Sequence, residues 1–298
     1  MICPYRGDEL DNRHLRLMGD LGQISFLRYD LRDPDSVAKC VKYSNIVVNL
    51  VGRDYETRNF KFPDVHVNGA HAIAKACQSS GVDQLIHFSA LNASEDSPSE
   101  FLQSKALGEQ VVREVFPDAT IMRPANVFGA EDRFLNYYAS LRLLPLGFIP
   151  IEKRGTQTYK QPVYVIDVAK AVLSAMKDPS SKGQTYELIG PKQHNLHDLV
   201  EYIYAVTYRP FKPYSPPKFM ARLVARILEM NPFIPYMTRD IWTRLHLSDT
   251  PHEDLPGLED LGVTPTPLED VAIATVRRYR DFYTYNKPID DVAPIRRA

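Results

Sequence analysis

The chain has 298 residues, of which 44% are hydrophobic and 24% charged, enough to bury a sizeable core in one large domain or two smaller ones. Its 36 Lys and Arg stand against 37 Asp and Glu, a net charge of −1, so the excess of positive charge that drives nucleic-acid binding is missing and no nucleic-acid partner is expected. Cys3, Cys40 and Cys77 form neither CxxC pairs nor metal-ligand spacings, which suggests unpaired thiols in a reducing compartment and gives metal catalysis little support.

The opening stretch, "MICPYRGDELDNRHLRLM", mixes acids with bases around no long apolar run, so it matches neither a secretory signal nor a transit peptide. "GDLG" at 19–22 follows a polar helical stretch and precedes a strand, the reverse of a phosphate-binding fingerprint, and reads as a turn. From about residue 24 short apolar runs alternate with amphipathic segments: "ISFLRY", "DSVAKCVKYS", "NIVVNLVG", "VHVNGAHAIAKACQSSGV", "QLIHFSA". That is the rhythm of βαβ units. The continuous run from Ile46 to Val51 suits a parallel strand buried on both faces. The expected fold is therefore α/β, a doubly wound parallel sheet.

Ser97, Pro98 and Glu100 read as a capping box that starts the next helix, with Lys105 about one turn inside it. Phe101 and Lys105, four residues apart, share one face. "ATIMRPANVFG" reads as a strand ending in a turn, and "QPVYVIDVAKAVLSAM" as a strand running into a helix near which the sheet is expected to end. After about residue 191 the character changes. "HNLHDLVEYIYAVTY" and "PKFMARLVARILEM" read as amphipathic helices around the proline-rich "RPFKPYSPPK", and "TPTPLEDVAIATVRRYRDFY" as a proline-initiated helix before a loose tail. Two regions are expected, 1–190 and a smaller, mainly helical 191–298. No window approaches the roughly 18 apolar residues of a membrane span, so the chain reads as soluble or peripheral.

In order and spacing, "DLRD" at 30–33, "NLVGRD" at 49–54, "FLQSKALGE" at 101–109, "RPANVFGAEDRFLN" at 123–136 and "QPVYVIDVAKAV" at 161–172 resemble the extended or atypical short-chain dehydrogenase/reductases. More closely they resemble the nucleotide-binding accessory subunits of mitochondrial respiratory complex I. The resemblance covers nearly the whole chain and implies a Rossmann-type dinucleotide domain in 1–190. Asp30 would accept from the adenine, and the turn at Leu50, Val51 and Gly52 would let backbone approach the adenosine half. Arg6 would hold a 2′-phosphate, favouring NADP(H). With Leu31, Ser89, Lys105, Pro124, Asn126 and Val127 these make up the implied cofactor-binding set. The family's first strand and glycine-rich phosphate loop have no counterpart, so an N-terminally truncated sheet is expected, beginning in mid-fold.

The active enzymes of that family pair tyrosine with lysine in YxxxK, where the ammonium lowers the phenol pKa and the phenol exchanges a proton with substrate. Here Phe101 precedes Lys105. A phenylalanine fills the space without a titratable proton, while the lysine can still hydrogen-bond the nicotinamide ribose. An asparagine frequent on the preceding helix falls on His66. The resemblance thus implies a non-catalytic subunit that binds NADP(H) structurally, has other complex I subunits as partners, and sits on the matrix side of the inner membrane, with peripheral membrane contact. The alternative is an active NAD(P)-dependent reductase or sugar-nucleotide epimerase. Between Tyr202 and Arg244, basic residues interleave with aromatics including Phe219, Phe233, Tyr236 and Trp242, a composition suited to protein docking or a membrane interface.

Overall fold

The structure, a computed structural model, describes residues 1–141, 147–231, 235, 237–288 and 292–295; Phe233 and Tyr236 of the aromatic and basic segment, and part of the expected tail, lie outside them. Strands and helices alternate as the apolar pattern predicts: β1 (Ile2–Tyr5), β2 (Ser25–Arg28), α1 (Pro34–Val41), β3 (Ile46–Asn49), a π-turn over Asp64–Asn68 running into α2 (Gly69–Ser80), β4 (Gln84–Phe88), α3 (Glu100–Val115) and β5 (Thr120–Pro124). Then come β6 (Val127–Phe128), α4 (Leu135–Ser140), β7 (Ile149–Pro150), β8 (Tyr159–Lys160), β9 (Val163–Tyr164), α5 (Val165–Lys177) and β10 (Thr185–Leu188). Past β11 (His194–Asn195) the chain is mainly helical, with α6 (Leu196–Val206), β12 (Pro213–Tyr214), α7 (Lys218–Glu229), α8 (Arg239–Leu245) and α9 (Leu268–Val276).

Four parallel strands form a sheet in the order β10-β5-β4-β3, and β1 pairs in parallel with β2 in a separate sheet. Because side chains alternate along a strand, Leu85 and Ile121 pack one face against α1, α2 and α3, while Ile86 and Met122 pack the other against α5. The sheet is doubly wound. The run from Ile46 to Val51 is less buried than its composition predicts: Ile46 is 36% and Leu50 69% exposed. Among the described residues β3 pairs with β4 alone, so one side of its ladder carries no strand from them.

Two expectations need correction. The sheet does not end near α5, since β10 adds to β5 beyond it. Glu187 hides this strand from an apolar pattern; it is buried and compensated by Arg123 at 3.7 Å and by His252 Nδ1 at 2.8 Å. Helix α3 is capped two residues later than the capping box implies: Ser99, in extended backbone, accepts from the Leu102 N–H at 3.4 Å. Packing also crosses the expected boundary at 190. Phe128, Leu135, Tyr138, Ile149 and Ile151 share a core with α6 and α9, and Leu258, Leu261 and Val263 return to the sheet beside α5. Among the described residues no helix is long and apolar enough to cross a membrane.

Candidate functional site

Two close approaches set the site. A Cβ added to Gly108 would lie 2.3 Å from the His66 carbonyl oxygen, so the glycine lets α3 seat directly on the Asp64–Asn68 turn. That seating carries Lys105 inward, where it is 6% exposed and its Nζ donates to the Phe88 carbonyl at 2.9 Å. Nζ also stands 3.3 Å from where a Cβ on Gly52 would be. Of the three ammonium donors, one is used by the described residues, and no carboxylate pairs with it among them. Burial pushes the Lys105 pKa down to about 8, with Glu109 opposing.

The turn carrying Gly52 is latched from within its own strand. Asn49 Oδ1 accepts from the Val51 N–H at 3.0 Å, and its Nδ2 donates to His87 Nδ1 at 3.0 Å across the β3–β4 pair. His66 Nε2 accepts from the Arg53 N–H at 3.1 Å, which places its proton on Nδ1, donating to Ser104 Oγ at 2.8 Å; Ser104 in turn donates to the Phe101 carbonyl at 2.7 Å. Burial first, then the charge of Lys105, holds both His66 and His87 down to about 3. They are neutral spacers at physiological pH.

Phe101 meets His66 edge-on at 5.0 Å, and the guanidinium of Arg244 lies over its ring at 4.0 Å. Arg244 is itself held: Nε donates to Asp240 at 3.0 Å and a terminal nitrogen to the Asp54 carbonyl at 2.8 Å. Asp240 also accepts from Ser99 Oγ at 2.8 Å, so α8 grips the start of α3. Beside this clasp is a cavity of about 250 Å³ lined by Ser89, Phe101, Pro124, Asn126, Val127 and Lys160, among others. Lys160 there is bound to Asp249 at 3.1 Å, while Ser89 Oγ is buried without a partner among the described residues.

A second cavity, of about 280 Å³, is lined by Leu31, Arg32, Phe60, Asp64, Asn68 and Gly69. The guanidiniums of Arg6 and Arg32 stand 5.0 and 4.3 Å from the centre of the Phe60 ring. Neither pairs with a carboxylate among the described residues, although Arg32 donates to the Asn59 carbonyl, so two exposed cations converge on one aromatic face without an acid partner.

Residues 5–188 match the model of the NAD dependent epimerase/dehydratase family. The chain belongs to that family. It is also 49% identical over 294 residues to "NADH dehydrogenase [ubiquinone] 1 alpha subcomplex subunit 9, mitochondrial" of Mus musculus, covering 99% of this chain and 78% of the relative. To the "NADH-ubiquinone oxidoreductase 40 kDa subunit, mitochondrial" of Neurospora crassa it is 36% identical over 288 residues, covering 97% of this chain and 75% of the relative. The chain therefore belongs to this family of mitochondrial subunits as well. Among solved structures, Citrobacter sp. triphenylmethane reductase complexed with NADP(H) superposes with a TM-score of 0.69 at 16% identity, over 92% of this chain and 90% of that one. That last likeness is one of fold.

Within this epimerase/dehydratase fold eight of the eleven expected cofactor residues fall into three groups. Ser89, Pro124, Asn126 and Val127 line the first cavity, Leu31 lines the second with Arg6 beside it, and Gly52 meets Lys105 between the strand ends. Asp30, Leu50 and Val51 line neither cavity: Asp30 Oδ1 is engaged by the Arg32 N–H at 3.0 Å, and Leu50 projects outward. Arg32, Phe60, Asn49, Asp240 and Arg244 were not expected. Asn49 carried a signal, a polar residue inside the apolar "IVVNLVG"; Arg244 carried none, being brought to Phe101 by tertiary structure alone. His197, Asp198 and Glu201 in the first turns of α6 place ligand-type atoms within 4.8 Å of one another.

Proposed function

We propose that this chain is a non-catalytic accessory subunit of mitochondrial NADH:ubiquinone oxidoreductase, on the matrix side of the inner membrane, that holds NADP(H) as a structural ligand and supports assembly and stability of the complex. The observation that carries the reading is the pairing of Phe101 with Lys105: a buried ammonium with spare donors lies against a backbone glycine, while the side chain one turn before it has no proton to give. The nearly full-length similarity to the mouse and fungal subunits supports the partner.

The residues present fit the nucleotide at three points. Lys105, facing Gly52, is placed for ribose hydroxyls. Ser89, whose buried Oγ lacks a partner among the described residues, with Pro124, Asn126 and Val127, would border the nicotinamide end. Arg6, joined by Arg32, offers two cations to a 2′-phosphate, which favours NADP(H); Asp30, Leu31, Leu50 and Val51 would border the adenosine. Bound nucleotide supplies a transferable hydride, but reduction of a carbonyl also needs a proton, and Phe101 has none. Its contribution here is stabilisation of the folded state by mass action.

Native electrophoresis of detergent-solubilised mitochondria, with peptide sequencing across the lanes, tests the partner. Co-migration of this chain with the respiratory complex is expected, and a chain running free would overturn the proposal. The open cavity beside Ser89 favours a second reading, an NAD(P)-dependent reductase or epimerase with another proton donor. Oxidation of NADPH by the purified chain in the presence of a carbonyl substrate would establish it.

A further inference from the structure

Helix α7 presents its apolar side to solvent. Ala221 and Ala225, one turn apart, face the protein and are 8% and 1% exposed, whereas Phe219, Leu223, Ile227 and Met230 are 71%, 56%, 60% and 78% exposed. At 100° per residue these four fall on an arc opposite the two alanines, widened by Met220 and Val224. Soluble proteins leave single apolar side chains exposed; a contiguous stripe along a whole helix marks an interaction site.

The charges say what covers it. Lys218, Arg222 and Arg226 follow one another at intervals of four and so form one row along the flank of the stripe. Lys218 reaches Glu152 at 3.0 Å, while Arg222 and Arg226 make no ion pair among the described residues. Glu229, the acid on this helix, is engaged by Arg239 at 2.9 Å. An outward apolar face about 18 Å long, edged by unneutralised arginines and backed by protein, matches an in-plane helix at the surface of an anionic bilayer, with apolar side chains at the acyl boundary and guanidiniums among phosphates.

We propose that α7 lies in the headgroup region of an anionic phospholipid bilayer and attaches the protein peripherally to it. The inference is independent of nucleotide binding. It is tested by sedimenting the full chain with vesicles of phosphatidylcholine alone and of phosphatidylcholine doped with cardiolipin. The chain is expected to pellet with the doped vesicles and to be released by salt. Leu223→Glu with Ile227→Glu should lower partitioning about tenfold or more, and Arg222→Gln with Arg226→Gln should remove the preference for the anionic vesicles. All four positions are on the outward or flanking side, so circular dichroism should be unchanged; if the glutamate variant misfolds, the arginine variant decides. No sedimentation of the parent chain, or equal sedimentation of the folded variants, would overturn the proposal. So would a chain that ignores vesicles but forms a dimer that Leu223→Glu dissociates, which would assign the stripe to a second copy.

Discussion

The two cavities are nearly equal in volume, about 250 and about 280 Å³, and opposite in their electrostatics. Around the first, charge is paired: Lys160 with Asp249 at 3.1 Å, both buried, and Arg244 with Asp240 at 3.0 Å, both half-buried. Around the second, Arg6 and Arg32 are exposed and rest on one ring without an acid partner among the described residues. A buried pair is costly to break because the survivor is left desolvated. An exposed cation re-aims toward an incoming anion at little cost. Similar hollows thus differ in kind: the first is fastened between the sheet and α8, and the second is edged by exposed cations, which under the proposed function would face a nucleotide phosphate.

The largest effect should come from opening the fastening. Arg244→Met removes the hydrogen bonds to Asp240 and to the Asp54 carbonyl and uncovers Phe101, and should cost about 3 kcal/mol, seen as a lower urea midpoint, whereas Arg6→Gln with Arg32→Gln should change stability by less than about 0.5 kcal/mol. Equal effects would erase the contrast between the cavities. Gly108→Ala should cost about 2 kcal/mol because its Cβ would meet the His66 carbonyl at 2.3 Å, and should weaken nucleotide binding by displacing Lys105. The double arginine variant should lower NADPH affinity about tenfold in calorimetry and leave NADH affinity nearly unchanged, since the second lacks the 2′-phosphate.

The smallest effects are in pH. The Lys105 pKa is about 8 in the folded chain against an ordinary 10.5, so between these values the unfolded chain binds more protons and stability rises with pH. Lys105→Met should flatten that rise in urea titrations. Nucleotide affinity should instead fall above pH 8 as the ammonium loses its charge. For His66 and His87, held down to about 3 from 6.5, the same sign makes stability fall as the medium is acidified through that window. Conversion of both to Gln should reduce the acid sensitivity.

The sheet was legible wherever a strand was apolar, as at Ile46–Asn49, Gln84–Phe88 and Thr120–Pro124. It was illegible at Thr185–Leu188, where a buried Glu187 is compensated by residues distant in sequence. Helix α8 was missed for a related reason: "RDIWTRL" is short and mixed in polarity, and its Asp240 and Arg244 are spent on Ser99, Phe101 and Asp54. Of the site, Lys105, Gly52 and Ser89 were reached through family resemblance, because no local pattern says that a helix lysine will turn inward. The structure supplies the reason, a glycine three residues on that admits the carbonyl of His66. Arg32 looked like an ordinary surface arginine until Phe60 was brought under it.

Calorimetric titration of NADPH into the full chain and its Lys105→Met variant would decide whether the buried ammonium is kept to grip a nucleotide. The parent chain should bind, with affinity for the variant lower by about tenfold or more. Equal affinity, or no binding by the parent, would contradict the role assigned to Lys105.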